Sequence, residues 1–593
     1  MFKDGKIVNA LFPLLRIYPW AIPVIVILGL VSSFAEGIGI SLFIPFLQNL
    51  DPTNQFHSKN WMVNELVQFF NNFDSDRRLL IISACIFGSI LLKAVLFYSN
   101  RLLFGWLNSR ISHKLRSDIF DLLLKVCYRF FDHNSSGRLL NTLSNETWQT
   151  SDALSMFVSL IITTCTIIVY VVLLMFISWK LTLIVMAFMF FVAVLTRLLT
   201  RSVKNLGKKL TMANAELAVR MLEGVEGMKV IRAFGREVYE KTRFDAVSKQ
   251  LSRVLLKQTF IKDAVNPIYE ILSALLLVFI LFKTLHDPSN LPSLLVFIFV
   301  LYRLQPRIKS FDVTRVALVA LTASVKEVTT LLDRSNKPYI ISGNVRFRDL
   351  NQGIHFKGVT FKYNPMEKPA LKDVSIFFPA KKTTAVVGPS GSGKSTIVKL
   401  ILRFYDTAEN NIFVDNEALN DLDVTSWRSQ IALVSQDVYI FNTTVRENIA
   451  YGHLDANEDD IIDAAKKANA HDFICQLPNG YDSKVGDRGI RFSGGQKQRI
   501  TLARAIIRKP SILILDEATN ALDSISEHLI QDALDALGQD RTVIIVAHRL
   551  STIKQAEHIV VLDEGRVSEQ GNLSQLLNLD GLFTTLHNLQ YEK

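Results

Sequence analysis

Residues 385–396 read Ala-Val-Val-Gly-Pro-Ser-Gly-Ser-Gly-Lys-Ser-Thr, which fits G-x-x-x-x-G-K-[ST] and leaves few folds open to this chain. Ala385-Val386-Val387 predicts a buried strand. Gly388, Pro389, Ser390, Gly391, Ser392 and Gly393 predict a loop whose backbone N–H groups face inward, and Lys394, Ser395 and Thr396 open a helix continuing through Ile397–Leu402. A nest of amides at a helix N-terminus attracts phosphate. Lys394 adds a point charge suited to the β- and γ-phosphates of a nucleotide, and the Ser395 hydroxyl is placed to hold Mg²⁺.

At 593 residues the chain is too long for one hydrophobic core. Mean hydropathy is +0.24 with 49% hydrophobic residues, and the apolar excess lies mostly before about residue 310. The stretch from Trp20 to about Leu47 is too long for a signal-peptide core and reads as a retained transmembrane helix. Further candidates at about 79–99, 154–178, 181–200, 266–285 and 292–307 bring the expectation to six spans. The net charge of +11 is then explained as loop charge on a membrane protein, and with no reader motif, nucleic acid is not an expected partner. Cys85, Cys127, Cys165 and Cys475 are far apart and lack a C-x-x-C pair, which argues against a disulfide framework or a zinc site.

Bases set the orientation. Lys3, Lys6 and Arg16 precede the first span, and Arg101, Arg110, Lys114, Arg116, Lys204, Lys208, Lys209, Arg232, Arg236, Lys241 and Arg253 follow the second and fourth, which places those segments in the cytoplasm. The two basic segments are helix-forming and about 50–65 residues long, so each hairpin would project roughly 30–40 Å from the bilayer. Their turns are 129–137, Arg-Phe-Phe-Asp-His-Asn-Ser-Ser-Gly, and 230–237, Val-Ile-Arg-Ala-Phe-Gly-Arg-Glu. Glu36, Lys93, Glu270 and Lys283 fall within or near the end of a span, where charge requires a partner or a polar cavity; Lys283 is near enough to the end to snorkel.

From Ile354 strands alternate with helices, the α/β pattern. Tyr363, ahead of the phosphate-loop strand, offers a ring to stack on adenine. Ser511–Glu517 is an apolar strand ending in two carboxylates: Asp516 suits Mg²⁺, and Glu517 suits orienting or deprotonating an attacking water. Ser493, Gly494, Gly495 and Gln496 open the helix Lys497–Arg508 and offer a second N-terminal anion site. The expected organisation is multidomain: an all-α six-helix transmembrane domain with two cytoplasmic extensions (1–310), a linker (311–352) and an α/β P-loop NTPase domain (353–593).

The phosphate loop, Gln436, Ser493–Gln496, Asp516-Glu517, Ala521-Leu522-Asp523 and His548, in that order, resemble an ABC transporter nucleotide-binding domain. Six spans ahead of it resemble the exporter class of half-transporters. The resemblance implies ATP and Mg²⁺ as cofactors, with Mg²⁺ on Ser395, Gln436 and Asp516, and two chains paired head to tail. Each ATP is then held between one chain's phosphate loop and the other's Ser493–Gln496, with Glu517, His548 and Lys394 catalytic. It also implies that Asp523 lies at the dimer interface, that Val485–Gly489 reports to the cytoplasmic turns, and that those turns dock on the nucleotide-binding domain. Phe492 replaces a usual leucine and Asn520 a usual serine, while Asn410 and Asn416 stand where glycine is common; no catalytic group is removed. The expected partner is a second half-transporter chain, most simply the same chain. Residues 34–46 resemble the opening helix of bacterial half-transporters that move lipid-linked saccharides or glycolipids. The expected cargo is therefore an amphipathic lipid in a cytoplasmic membrane, with multidrug or peptide export, or an ATP-gated channel or regulator, as alternatives.

Overall fold

The computed structural model describes residues 11, 15–43, 45–46, 68–70, 72–73, 75–284, 291–335, 337–407, 409–486, 489–516, 528–529, 532, 540–547, 553–554 and 556–591. Two compact units emerge: Met1–Lys125 with Phe131–Lys337, and Val126–Phe130 with Pro338–Lys593.

The first unit is all helix. Its elements are α1 (Ala21–Ser41), α2 (Ser75–Lys125), α3 (Ser136–Asn141), α4 (Thr147–Ile177), α5 (Trp179–Leu199), α6 (Val203–Glu226), α7 (Glu237–Asp263), α8 (Val265–Thr284), α9 (Leu291–Ala320) and α10 (Thr322–Leu332). A π-helical turn, Thr142–Glu146, joins α3 to α4. Among the described residues, five helices are long and apolar enough to cross a membrane: Ala21–Ser41, Arg77–Lys125, Ser136–Ile177, Trp179–Glu226 and Glu237–Phe282. The sixth expected span lies within α9, which is helical throughout and carries Pro306 in its interior.

Two helices run on well past the expected spans. α2 runs on to Lys125, and α5 continues through a short 3₁₀ turn into α6. The second turn is a short helix, Met228–Ala233, closed by Gly235 at φ +60 with Arg236 N–H donating to Ile231 O at 2.9 Å. Small residues set the closest helix approach: a Cβ added at Gly207 on α6 would stand 2.0 Å from Ala320 O on α9.

The second unit holds two sheets. β1 (Gly353–Phe361), β2 (Leu371–Pro379), β4 (Ile412–Val414) and β5 (Glu417–Ala418) form an antiparallel sheet in the order β2-β1-β4-β5. β3 (Thr383–Val387), β6 (Ile431–Val434), β7 (Ile512–Asp516), β8 (Thr542–Val546), β9 (His558–Asp563) and β10 (Arg566–Gly571) form the other, ordered β10-β9-β3-β8-β7-β6. All pairs in this sheet are parallel except β9–β10. Parallel strands need both faces covered, and β3, β7 and β8 read as near-continuous apolar runs for that reason. Val386, Ile514 and Ile544 point into one core with Phe356, Trp427 and Ile397, while Ala385, Leu515 and Ile545 point into another with Ile449 and Ile500.

The five residues Val126–Phe130 are part of this second unit. Cys127 N–H donates to Pro338 O at 3.0 Å, Val126 bridges Tyr339, and Tyr128 stacks on Phe404 with centroids 5.4 Å apart. They stand at the start of the first turn that the sequence singled out.

Candidate nucleotide site

The parallel sheet brings the motif residues to one edge. β3, β8, β7 and β6 are adjacent and run the same way, so the loop after Val387, Asp516 at the end of β7 and Gln436 just after β6 share the carboxyl edge, where open α/β sheets bind ligands. β8 ends level with them, Val546 pairing with Val386 and Asp516. Glu517, His548, Asn520, Ala521-Leu522-Asp523 and Asp487-Arg488 lie outside the described residues.

The loop closes as the spacing predicts, onto α11 (Lys394–Ile401). Gly388, Gly391 and Gly393 sit at φ +147, +82 and +104, the positions where glycine is required. Lys394 is 5% exposed, and its Nζ donates to Gly388 O at 2.8 Å and Pro389 O at 2.9 Å, among other contacts. The Ser392 hydroxyl is buried with no hydrogen-bond partner among the described residues. The Ser395 hydroxyl belongs to an exposed residue at the helix start. A cradle with an unanswered buried hydroxyl, a lysine folded over it and hard oxygen donors on Ser395, Asp516 and Gln436 fits a magnesium-bound nucleotide triphosphate.

Tyr363 follows β1. Its OH lies 3.0 Å from Thr396 Oγ1, its ring meets Phe361 and Tyr405 edge-on with centroids 5.1 Å away, and Lys399 Nζ stands 5.2 Å over the ring. The tyrosine is thus tied to the helix that follows the phosphate loop. The signal for these contacts with Tyr363 is the three-residue spacing that puts Thr396 and Lys399 on one face of α11.

Ser493 caps α12 (Gly494–Ile507). Its Oγ accepts Gln496 N–H at 3.3 Å, and Gln496 Oε1 accepts Ser493 N–H at 3.0 Å, a reciprocal capping box. Ser493 and Gly494 are exposed while Gly495 is buried. The start of this helix is therefore open to solvent.

In the first unit, Glu36 has partners that its isolation in the sequence concealed. Lys93 Nζ lies 2.5 Å from its Oε1, Arg303 Nη1 is 3.6 Å from the same oxygen and Arg307 Nη2 is 3.4 Å from Oε2. One carboxylate on α1 thus ties α2 and α9. The signal was the four-residue spacing of Arg303 and Arg307, which puts them one turn apart on the same face of α9. Glu270 pairs with Lys309 at 3.0 Å and is largely exposed. The side chain of Lys283 lies outside the described residues.

Comparison with known proteins now adds to the geometry. Residues 22–305 match the ABC transporter transmembrane region family, and residues 371–520 match the ABC transporter family. A heterocyst differentiation ATP-binding protein, HepA, of Nostoc sp. (strain PCC 7120 / SAG 25.82 / UTEX 2576) is 36% identical over 96% of this chain and 94% of its own length. This chain is an ABC transporter. The ATP-dependent lipid A-core flippase of Haemophilus influenzae (strain 86-028NP) is 35% identical to it over 86% of this chain and 88% of its own, and that of Escherichia coli (strain K12) 33% over 87% and 90%. Among solved structures, a bacterial Atm1-family ABC exporter with ATP bound superposes with a TM-score of 0.80 at 26% identity, covering 97% of this chain and 98% of that one. The ABC transporter is accordingly a multi-pass membrane protein of exporter fold, and its ATPase domain binds nucleotide and couples ATP hydrolysis to transport.

Proposed function

We propose that the chain flips or exports a lipid, glycolipid or lipid-linked saccharide across the cytoplasmic membrane, as a homodimer with two shared ATP sites. The observation that carries the reading is near full-length similarity to relatives named lipid A-core flippases.

In this reading the α11 N-terminus, the loop amides and Lys394 bind the β- and γ-phosphates, and Tyr363 positions the adenine end. Ser395, Asp516 and Gln436 would hold Mg²⁺, which would supply positive charge against the phosphates. Glu517 takes the proton of the attacking water, and His548 contacts the γ-phosphate. The outward-facing cap at Ser493–Gln496 meets the nucleotide of the second chain, so that ATP stabilises the closed pair; that differential affinity is what any ligand-driven switch requires. Asp523 lies at that dimer interface. Closure passes through Gln436, Val485–Gly489 and the two cytoplasmic turns to the spans, which alternate access.

The test is ATP turnover and lipid translocation by the purified protein in proteoliposomes containing extracted membrane glycolipid, with Glu517→Gln as blank. ATP-dependent movement of a labelled glycolipid to the outer leaflet, absent in the blank, is expected. Turnover above the blank without any lipid movement would move the reading to another cargo, and turnover no higher than the blank would sink the homodimer.

A further inference from the structure

A cleft of about 460 Å³ opens between α6 and α7 in the first unit, and its lining includes Leu206, Phe260, Ile261, Asn205, Lys209 and Lys257. That is the size of an ordinary ligand pocket. Its place follows from the helices that carry it. α6 continues the span of α5, which ends at Leu199, and α7 leads into the span of α8, which begins at Val265. At 1.5 Å per residue, Leu206, Phe260 and Ile261 stand about 6–10 Å beyond those span ends, and Lys209 and Lys257 about 12–15 Å. The apolar wall therefore lies nearer the bilayer and the bases farther from it, and long lysine stems carry their charges back toward the headgroup layer.

On the α6 side of the cleft the charge is one-sided, while on the α7 side residues 257–263 hold Lys257, Lys262 and one acid, Asp263. Residues 197–209 hold Arg197, Arg201, Lys204, Lys208 and Lys209 and no acid. Neither Lys209 nor Lys257 has an ion-pair partner among the described residues. Phe260 is 73% exposed and offers a bare ring at the same level as the apolar wall. A soluble anion would use the lysines and gain nothing from Leu206, Phe260 and Ile261. An amphiphile of the cytoplasmic leaflet, head outward and chain inward, uses both ends.

We propose that this cleft binds an acidic membrane lipid, its phosphate between Lys209 and Lys257 and its upper acyl chain along Leu206, Phe260 and Ile261. Basic pockets between helices on the cytoplasmic side of a membrane are recognised by such headgroups. The site lies on the limbs of one hairpin and is independent of which lipid is transported. An occupant joins α6 to α7 above the turn at Met228–Ala233.

Phosphatidylglycerol, with phosphatidylcholine as the zwitterionic control, serves as the probe. It is titrated onto the full-length protein in detergent without nucleotide, and bound lipid is counted by native mass spectrometry. The wild type should hold phosphatidylglycerol in preference to phosphatidylcholine. Lys209→Ala with Lys257→Ala should weaken phosphatidylglycerol about twenty-fivefold, at about fivefold per lysine. Lys209→Arg with Lys257→Arg should bind as the wild type does, which separates lost charge from misfolding. The control pair Lys229→Ala with Lys241→Ala, equal in charge change but near the turn, should leave binding unaltered. Equal weakening by both alanine pairs would reduce the effect to net charge and overturn the site. Undiminished binding in the Lys209/Lys257 alanine pair, or displacement of the lipid by inorganic phosphate at matched concentration, would overturn it as well.

Discussion

A single carbonyl decides what can stand at position 388. A Cβ there would lie 2.1 Å from Leu562 O, at a backbone φ of +147 that other residues rarely adopt. Gly388→Ala should therefore deform the loop at a cost of about 1–3 kcal/mol and lower nucleotide affinity at least about tenfold. Titration with a fluorescent ATP analogue reads this, and wild-type affinity would show that the loop tolerates a side chain. A second residue-level effect concerns acid. Burial, and then neighbouring Lys382, hold the His558 imidazole below its ordinary value of 6.5, and its Nδ1 has no partner among the described residues. The unfolded chain then binds a proton that the fold refuses, so the fold keeps this contribution above about pH 6.5 and loses it as pH falls below that value. His558→Gln should flatten the fall of the melting midpoint of the full chain between about pH 7 and 5.5; an unchanged slope would acquit the histidine. The loop was legible because its chemistry is contiguous in the chain. Leu562 O and the partners of Tyr363 were less so, because they depend on which strand or helix face comes alongside.

At the scale of the element, apolar runs foretold the strands and most of the spans, and Ser493 with Gln496 foretold a helix start. What period and propensity do not carry is where two helices cross. Gly207 was one residue in a basic stretch, yet it is where α6 meets Ala320 of α9. Ala320 is buried, and its partner lies more than a hundred positions away in the chain and leaves no local trace. Gly207→Val should force the helices apart and cost about 2 kcal/mol or more. A lower thermal midpoint and a smaller folded fraction by size exclusion are expected, whereas Gly224→Val, where an added Cβ meets nothing within 4 Å, should cost only helix propensity. Similar losses in the two variants would remove the crossing from the argument. Glu36 teaches the same lesson with charge: the sequence exposes the need for a partner, and only the packing of three helices supplies Lys93, Arg303 and Arg307.

At the scale of the whole molecule, a shared site makes a genetic prediction. If each ATP lies between the phosphate loop of one chain and the Ser493–Gln496 cap of the other, Lys394→Ala and Ser493→Arg are each inactive as homodimers. Mixed, half of randomly paired dimers carry one intact site of two, so roughly a quarter of wild-type turnover should return. No recovery on mixing, with pairing confirmed by crosslinking, would put loop and cap in one chain. The order of the halves and their chemistry were readable from the first, since apolar excess and phosphate motif occupy separate stretches. The contribution of Val126–Phe130 to the second unit was not, because a segment so short carries no periodicity of its own. It has a consequence for the order of assembly on the ribosome. Val126–Phe130 leaves the exit tunnel long before Pro338 and must wait for its binding surface to be translated, so the ATPase half is unfinished until an early segment is recruited back to it. A fragment cut at Pro338 would be born without that piece, leaving one face of Phe404 and the edge at Tyr339 bare to water.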